Sequence, residues 1–297
     1  MKSTSAPECL VQGGGRAIVE TSAKTTKLTA RERAREVAVS TIGETRVRRV
    51  ASTRDLALCK LRNSVTAAGR ANANRIRSIR DSAPATRCVI IGNGPSLNDT
   101  DLSLLQNEIT FGLNRIYLMY DKLGFRTTYH VVVNQLVVQQ CAQDFRQIEC
   151  PLFTTARNRP HLRDGRDPIF LGNRTGPLFS KDLNNGIWEG ATVTYVAMQI
   201  AFHMGFQEVV LVGVDHNFVS KGPAHSVVES KGADQNHFDP NYFGKGFKWQ
   251  LPDLDQSEVA YGMAKKAFEA DGRKIVDATV GGKLTVFEKV KLEDFLS

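Results

Sequence analysis

Over the last two thirds of the chain, short runs of consecutive apolar residues alternate with stretches in which apolar positions recur every three or four residues. Cys88-Val89-Ile90-Ile91 is the first run, and Gly92-Asn93-Gly94 ends it. Ile109 to Leu113 ends at Asn114-Arg115, and Tyr129 to Val133 ends at Asn134-Gln135; Pro151 to Thr154 and Ile169 to Leu171 are shorter. Val193, Val196, Ala197, Ile200, Ala201 and Met204 share one helical face until Gly205, and Glu208 to Val214 follows as the strongest strand. A last helix carries Val259, Met263, Ala264, Ala267 and Phe268 on one side, and Lys274 to Val276 returns as a strand. Strands that alternate with helices predict an α/β fold, a mostly parallel sheet with helices on both faces. In such sheets ligands bind beyond the carboxyl ends of the strands, so those loops are the ones to read for chemistry.

The first third has a different character. Residues 1–27, rich in Ser, Thr and Gly, read as a tail without fixed structure and lack the apolar core of a secretory signal. Residues 28–85 read as a basic helical arm, in which Leu58, Leu61 and Val65 form one apolar stripe. Residues 86–297 read as the catalytic-type domain. The chain of 297 residues has a formal charge of +8, but residues 1–87 hold 18 Lys and Arg against 7 Asp and Glu. The remainder, with 21 against 24, is slightly acidic. The basic arm therefore reads either as a solvated helix packed on the main domain or a partner, or as a surface for anionic lipid or polymer. A nucleic-acid partner is not expected, since no helix-turn-helix, zinc or stacking pattern accompanies the arginines. No stretch approaches the roughly 18 apolar residues of a membrane span. The five scattered cysteines suit a reducing cytosol, with the arm at the inner face of the membrane as a further expectation.

Several strand ends carry candidate chemistry. In Gly92-Asn93-Gly94-Pro95-Ser96 the glycines permit a sharp turn and close backbone approach, Pro95 suits a first helical turn, and Ser96 offers a hydroxyl to phosphate or ribose. The segment is neither a dinucleotide fingerprint, because Leu97 stands at the third glycine position, nor a P-loop. It reads as a nucleotide site or as a tight structural turn. Asn114-Arg115 and Asn134-Gln135 offer amides for a base, ribose or sugar, or else cap helices. Thr192 and Thr194 open a helix whose free N–H groups favour an anion. Asp215 and His216 end the strongest strand. The long segment from Phe218 to Pro252 has the dimensions of a lid or binding loop, with His237 as the best general base, Asn236 beside it, and Lys245 for a phosphate or carboxylate. No metal site is expected: Asp99, Asp101, Asp253 and Asp255 have D-x-D spacing but flank helix starts, where capping explains them.

Taken in order, Val89 to Leu97, Phe111 to Arg115, and Met204 to Asp215 resemble the MptE-like family, named for archaeal 6-hydroxymethylpterin diphosphokinases. The chain is also similar to family 42 sialyltransferases and flagellin nonulosonate transferases. The resemblance covers about residues 86–290 and implies a Rossmann-like transferase domain that binds an activated nucleotide. It implies that Gly92 to Ser96 and Asn114 hold the nucleotide, that Thr192 holds phosphate or carboxylate, and that His237 is the general base. Where the sialyltransferases carry two tyrosines, this chain reads His216-Asn217-Phe218-Val219. The leading expectation is a glycosyltransferase using a nucleotide-activated, CMP-linked sugar for a bacterial surface glycan, with a small-molecule or glycan acceptor and no cofactor. A diphosphokinase using ATP and Mg²⁺ is the second, and would recast Asp215 as an organiser of metal or phosphate. A non-catalytic nucleotide-binding module is the third.

Overall fold

The computed structural model describes residues 44–162, 168–219 and 222–296. Internal contacts divide the chain into two units, Met1–Val47 and Arg48–Ser297. The second holds the sheet and every candidate residue, whereas the expected tail and the start of the arm lie outside the described residues.

Ten strands are described: β1 (Arg87–Ile91), β2 (Thr110–Leu113), β3 (Tyr129–Val131), β4 (Leu152–Thr155), β5 (Ile169–Leu171), β6 (Glu208–Val212), β7 (Val227–Glu229), β8 (Lys248–Gln250), β9 (Lys274–Asp277) and β10 (Glu288–Lys289). Eight of them form one sheet in the order β10-β9-β6-β1-β2-β3-β4-β5, and every neighbouring pair in it is parallel. The four longer helices are α1 (Glu44–Val65), α2 (Ala67–Ser78), α3 (Val193–Met204) and α4 (Leu254–Glu269).

The unbroken apolar runs of the central strands follow from burial on both faces. Along β1, Cys88 and Ile90 join one core with α3, while Val89 and Ile91 join the other. The second core is closed by Phe238, Tyr242, Phe243 and Trp249 of the late segment, which contains the antiparallel β7–β8 ribbon. On the first face α3 is buried along its whole length from Thr194 and ends at Gly205 in the left-handed region.

The amino-terminal helices belong to this unit from Arg48 onward, so contacts divide the chain at Val47 and not at the expected boundary near residue 86. Thr66 separates α1 from α2 by accepting from Gly69 N. Asn72 is buried, and its side chain donates to Phe170 O at 3.0 Å and accepts from Phe170 N at 2.8 Å. It thus completes the outer hydrogen bonds of β5 as another strand would. Ile76 enters the first core beside it.

Candidate functional site

From β1 the chain proceeds outward through β2, β3, β4 and β5, then returns to lay β6 on the other side of β1. The direction of winding reverses between β1 and β6, which opens a crevice at their carboxyl ends. Both loops leaving that point are among those singled out from sequence, and they are stitched together. Gly92 N donates to Val212 O at 2.8 Å and Gly94 N to Gly213 O at 2.9 Å. Asp215 accepts from Ser96 N at 3.1 Å and from Ser96 Oγ at 2.7 Å. The glycines are required by this contact: a Cβ on Gly92 would overlap Gly213 O, and one on Gly94 would overlap the Asp215 carboxylate. Burial pushes the Asp215 carboxyl above its ordinary pKa, the two Ser96 bonds pull it back, and the Asp277 charge adds to the upward shift.

Asn93 projects from this turn with its side-chain Oδ1 buried and without a hydrogen-bond partner. Asn114, in the left-handed region at φ 46°, presents a second buried Oδ1 in the same condition. Two such acceptors, at the ends of neighbouring strands, are desolvated and await donors. Beneath Asn114, His130 is fully buried with Nε2 against Asn114 O at 2.7 Å. Burial lowers its pKa to about 4, so it stays neutral near pH 7.

The late segment closes over the crevice. Phe238 N donates to Asn93 O at 3.0 Å, and Asn98 Nδ2 donates to Phe238 O at 2.9 Å. These bonds bring His237 to the Asn93 turn. Its Nδ1–H donates to Asp234 Oδ2 at 2.8 Å, with side chains 12% and 3% exposed. Its ring stacks on Tyr242 at 3.9 Å and 4°. Asp234 thereby fixes ring orientation and leaves the lone pair on Nε2, the arrangement a general base needs. Asp234 was not among the residues singled out; its D-x-x-H spacing before His237 was the available signal.

Arg115 braces this segment. Its backbone N–H donates to Tyr242 Oη at 3.2 Å, its guanidinium donates to Tyr242 O, and its charge lies over the Tyr242 and Phe247 rings. On the β6 side, Thr192 caps α3 by accepting from Thr194 N and lies 3.3 Å from Tyr261 Oη. Tyr261 also packs edge-on against His216, whose Nε2 meets Glu258 Oε1 at 2.9 Å. Asn236 accepts from Val219 N and so supports the loop. Asn134 accepts from Leu136 N and Val137 N as a helix cap, the simpler of its two readings. Lys245 is exposed on the turn before β8. The D-x-D residues Asp101 and Asp253 each cap a helix.

Among the described residues no three His, Cys, Asp or Glu side chains are grouped to hold a metal. Near the turn, Asp215 is occupied by Ser96, while Asp277 accepts from Lys289 Nζ at 2.6 Å and Thr279 N at 2.9 Å. Both carboxylates therefore already have hydrogen-bond partners within the fold. An open concavity at the opposite, amino end of the central strands, lined by Asp81, Thr86, Gln207 and Arg273, contains none of the candidate residues.

The profile described as 6-hydroxymethylpterin diphosphokinase MptE-like matches residues 61–221. No curated protein matches the chain. Among solved structures, the MAf glycosyltransferase from Magnetospirillum magneticum AMB-1 is similar at 18% identity and a TM-score of 0.47, over 71% of this chain and 35% of that one. This chain thus spans about a third of that protein's length.

Proposed function

The chain belongs to the MptE-like family, and from that premise we propose that it is a transferase acting on an activated nucleotide, with glycosyl transfer from a CMP-linked sugar as the leading reaction and a bacterial surface glycan as its product. The observation that carries this reading is the Asp234–His237 pair, hydrogen-bonded through Phe238 to the Asn93 turn. A general base beside a nucleotide-type turn suits transfer to a hydroxyl.

Asn93 and Asn114 offer their unpartnered Oδ1 atoms to donors of the nucleotide, its exocyclic amine or ribose hydroxyls. Ser96, oriented by Asp215, lines the turn. Thr192 and Thr194, at the start of α3, are assigned to the phosphate or sugar carboxylate, which the positive end of the helix favours. His237 Nε2 takes the acceptor's proton as the acceptor oxygen bonds to the anomeric carbon. The bond from that carbon to the phosphate oxygen breaks, and the nucleotide leaves with the electron pair. Asp234 stabilises the imidazolium that forms.

The family description favours a second reading, transfer of diphosphate from ATP to a pterin-type hydroxyl. Calorimetry with CMP, CDP and ATP, each with and without Mg²⁺, separates the two. Metal-independent CMP binding is expected; ATP binding that requires Mg²⁺, with no CMP binding, would establish the second reading instead. His237→Ala and Asp234→Asn are expected to lower donor consumption by about 100- to 10,000-fold while sparing nucleotide binding. Unchanged consumption in both variants would remove His237 as the base, and nucleotide binding without any donor consumption by the wild type would leave only a nucleotide-binding module.

A further inference from the structure

Helix α1 is apolar on two opposite sides. Its inner side sets Leu56 and Cys59 over Gly172 and Leu56 over Gly186, the latter at a positive φ and against Gly172 O. Its outer side carries Val50, Leu58, Leu61 and Val65, which are 62%, 55%, 58% and 62% exposed. At 3.6 residues per turn these four fall within an arc of about 80°. Single exposed aliphatic residues are ordinary, whereas four on one arc of one helix form a surface. Arg54 lies inside the arc, Arg46, Arg62 and Glu44 border it, and no acidic residue falls within it. Asp55 lies off the arc, 3.5 Å from Arg54.

We propose that this face of α1 docks on an anionic bilayer surface, its aliphatic residues entering the interfacial layer and its arginines meeting the headgroups. The charge decides among the occupants. A second copy laid on the same face would set Arg54 against its counterpart with no acid inside the arc to meet it, and α1 carries six Lys and Arg against two Asp and Glu. Residues 1–43, the part of the chain that precedes the helix, carry seven Lys and Arg against four Asp and Glu and so share its sign. A bilayer rich in acidic lipids supplies both an apolar layer for the stripe and negative charge for the six Lys and Arg of α1. The inner side of the helix is anchored at Gly172, the residue that follows β5, so the docking face is carried at the end of the sheet where the candidate site lies.

The test is sedimentation of the full chain with vesicles of phosphatidylcholine alone and of phosphatidylcholine mixed with phosphatidylglycerol. Binding to the mixed vesicles and not to the neutral ones is expected. Leu58→Ser/Leu61→Ser, at exposed positions and checked for an unchanged melting curve, is expected to weaken that binding at least about tenfold, and Arg54→Glu to weaken it as well. A full chain that stays in the supernatant with both vesicles would overturn the proposal. So would pelleting that the double serine variant leaves intact, which would assign the attraction to other basic segments. Self-association that the same variant abolishes, measured by light scattering without lipid, would show that a second copy covers the face.

Discussion

Asp215 is a carboxylate that the fold keeps partly from water while giving it only Ser96 as a hydrogen-bonding side chain. Its folded pKa lies above that of the unfolded chain, so its favourable contribution to stability is complete below about pH 3.9, the unfolded value, and is lost as pH rises through the folded value. Asp215→Asn keeps the contact, since Oδ1 still accepts from Ser96 N and Nδ2 donates to Ser96 Oγ, but removes the buried charge. This variant is expected to melt above the wild type at pH 7, with the difference shrinking toward pH 3.5; a variant less stable at pH 7 would contradict the assignment. Turnover should fall although stability rises, as at other sites where burial strain serves chemistry. Part of this was legible in sequence. Gly92 to Ser96 and Asp215 stand out because they end apolar runs, but their contact joins positions 119 apart along the chain, which no local pattern encodes. Asp234 escaped notice for a related reason: in a polar loop without periodicity, one carboxylate looks like any other until the ring beside it has a direction.

At the scale of elements, the late segment depends for its position on Arg115 more than on structure of its own. The β7–β8 ribbon has three residues in each strand, too little to be stable alone. What fixes His237 is the stack on Tyr242, whose backbone carbonyl and ring both engage Arg115. Arg115, a candidate ligand contact, sends its guanidinium from the end of β2 to the loop. Losing one charged hydrogen bond costs about 1.5 to 3 kcal/mol. Arg115→Ala is therefore expected to speed amide exchange across residues 234–247 by about 10- to 100-fold, with a smaller change in the melting midpoint. Equal acceleration throughout the sheet would show that the loop does not open separately. The main strands were readable because burial on both faces demands unbroken apolar runs. The ribbon was not, since only Trp249 of β8 is buried and the remaining pairing is half solvated.

For the molecule as a whole, charge divides the chain near residue 87, while contacts place α2 inside the sheet unit. Asn72, a polar residue that looks like surface in sequence, is among its most buried, because its amide satisfies both backbone groups of Phe170. Removing residues 1–80 is accordingly expected to expose Phe170 and leave a void at Ile76, a loss of at least several kcal/mol. A chain starting at Arg48 should retain a cooperative melt, whereas one starting at Asp81 should melt far lower or precipitate; equal midpoints would return α2 to the status of an appendage.

The two ends of the sheet share a property that bears on how the protein coexists with its neighbours at high concentration. On one side the last strand is the charged pair Glu288-Lys289. On the other, the carboxyl end of β5 is occupied by its own chain, since Ile187 N donates to Gly172 O at 2.8 Å and Asn173 bridges to Ile187, while Asn72 occupies the backbone of Phe170. The first margin is short and charged and the second is partly filled by the chain itself, two features that discourage a foreign strand from templating. An eight-stranded sheet with such margins is less open to growth by strand addition, and crowding should favour contacts through helices and side chains over fibrils.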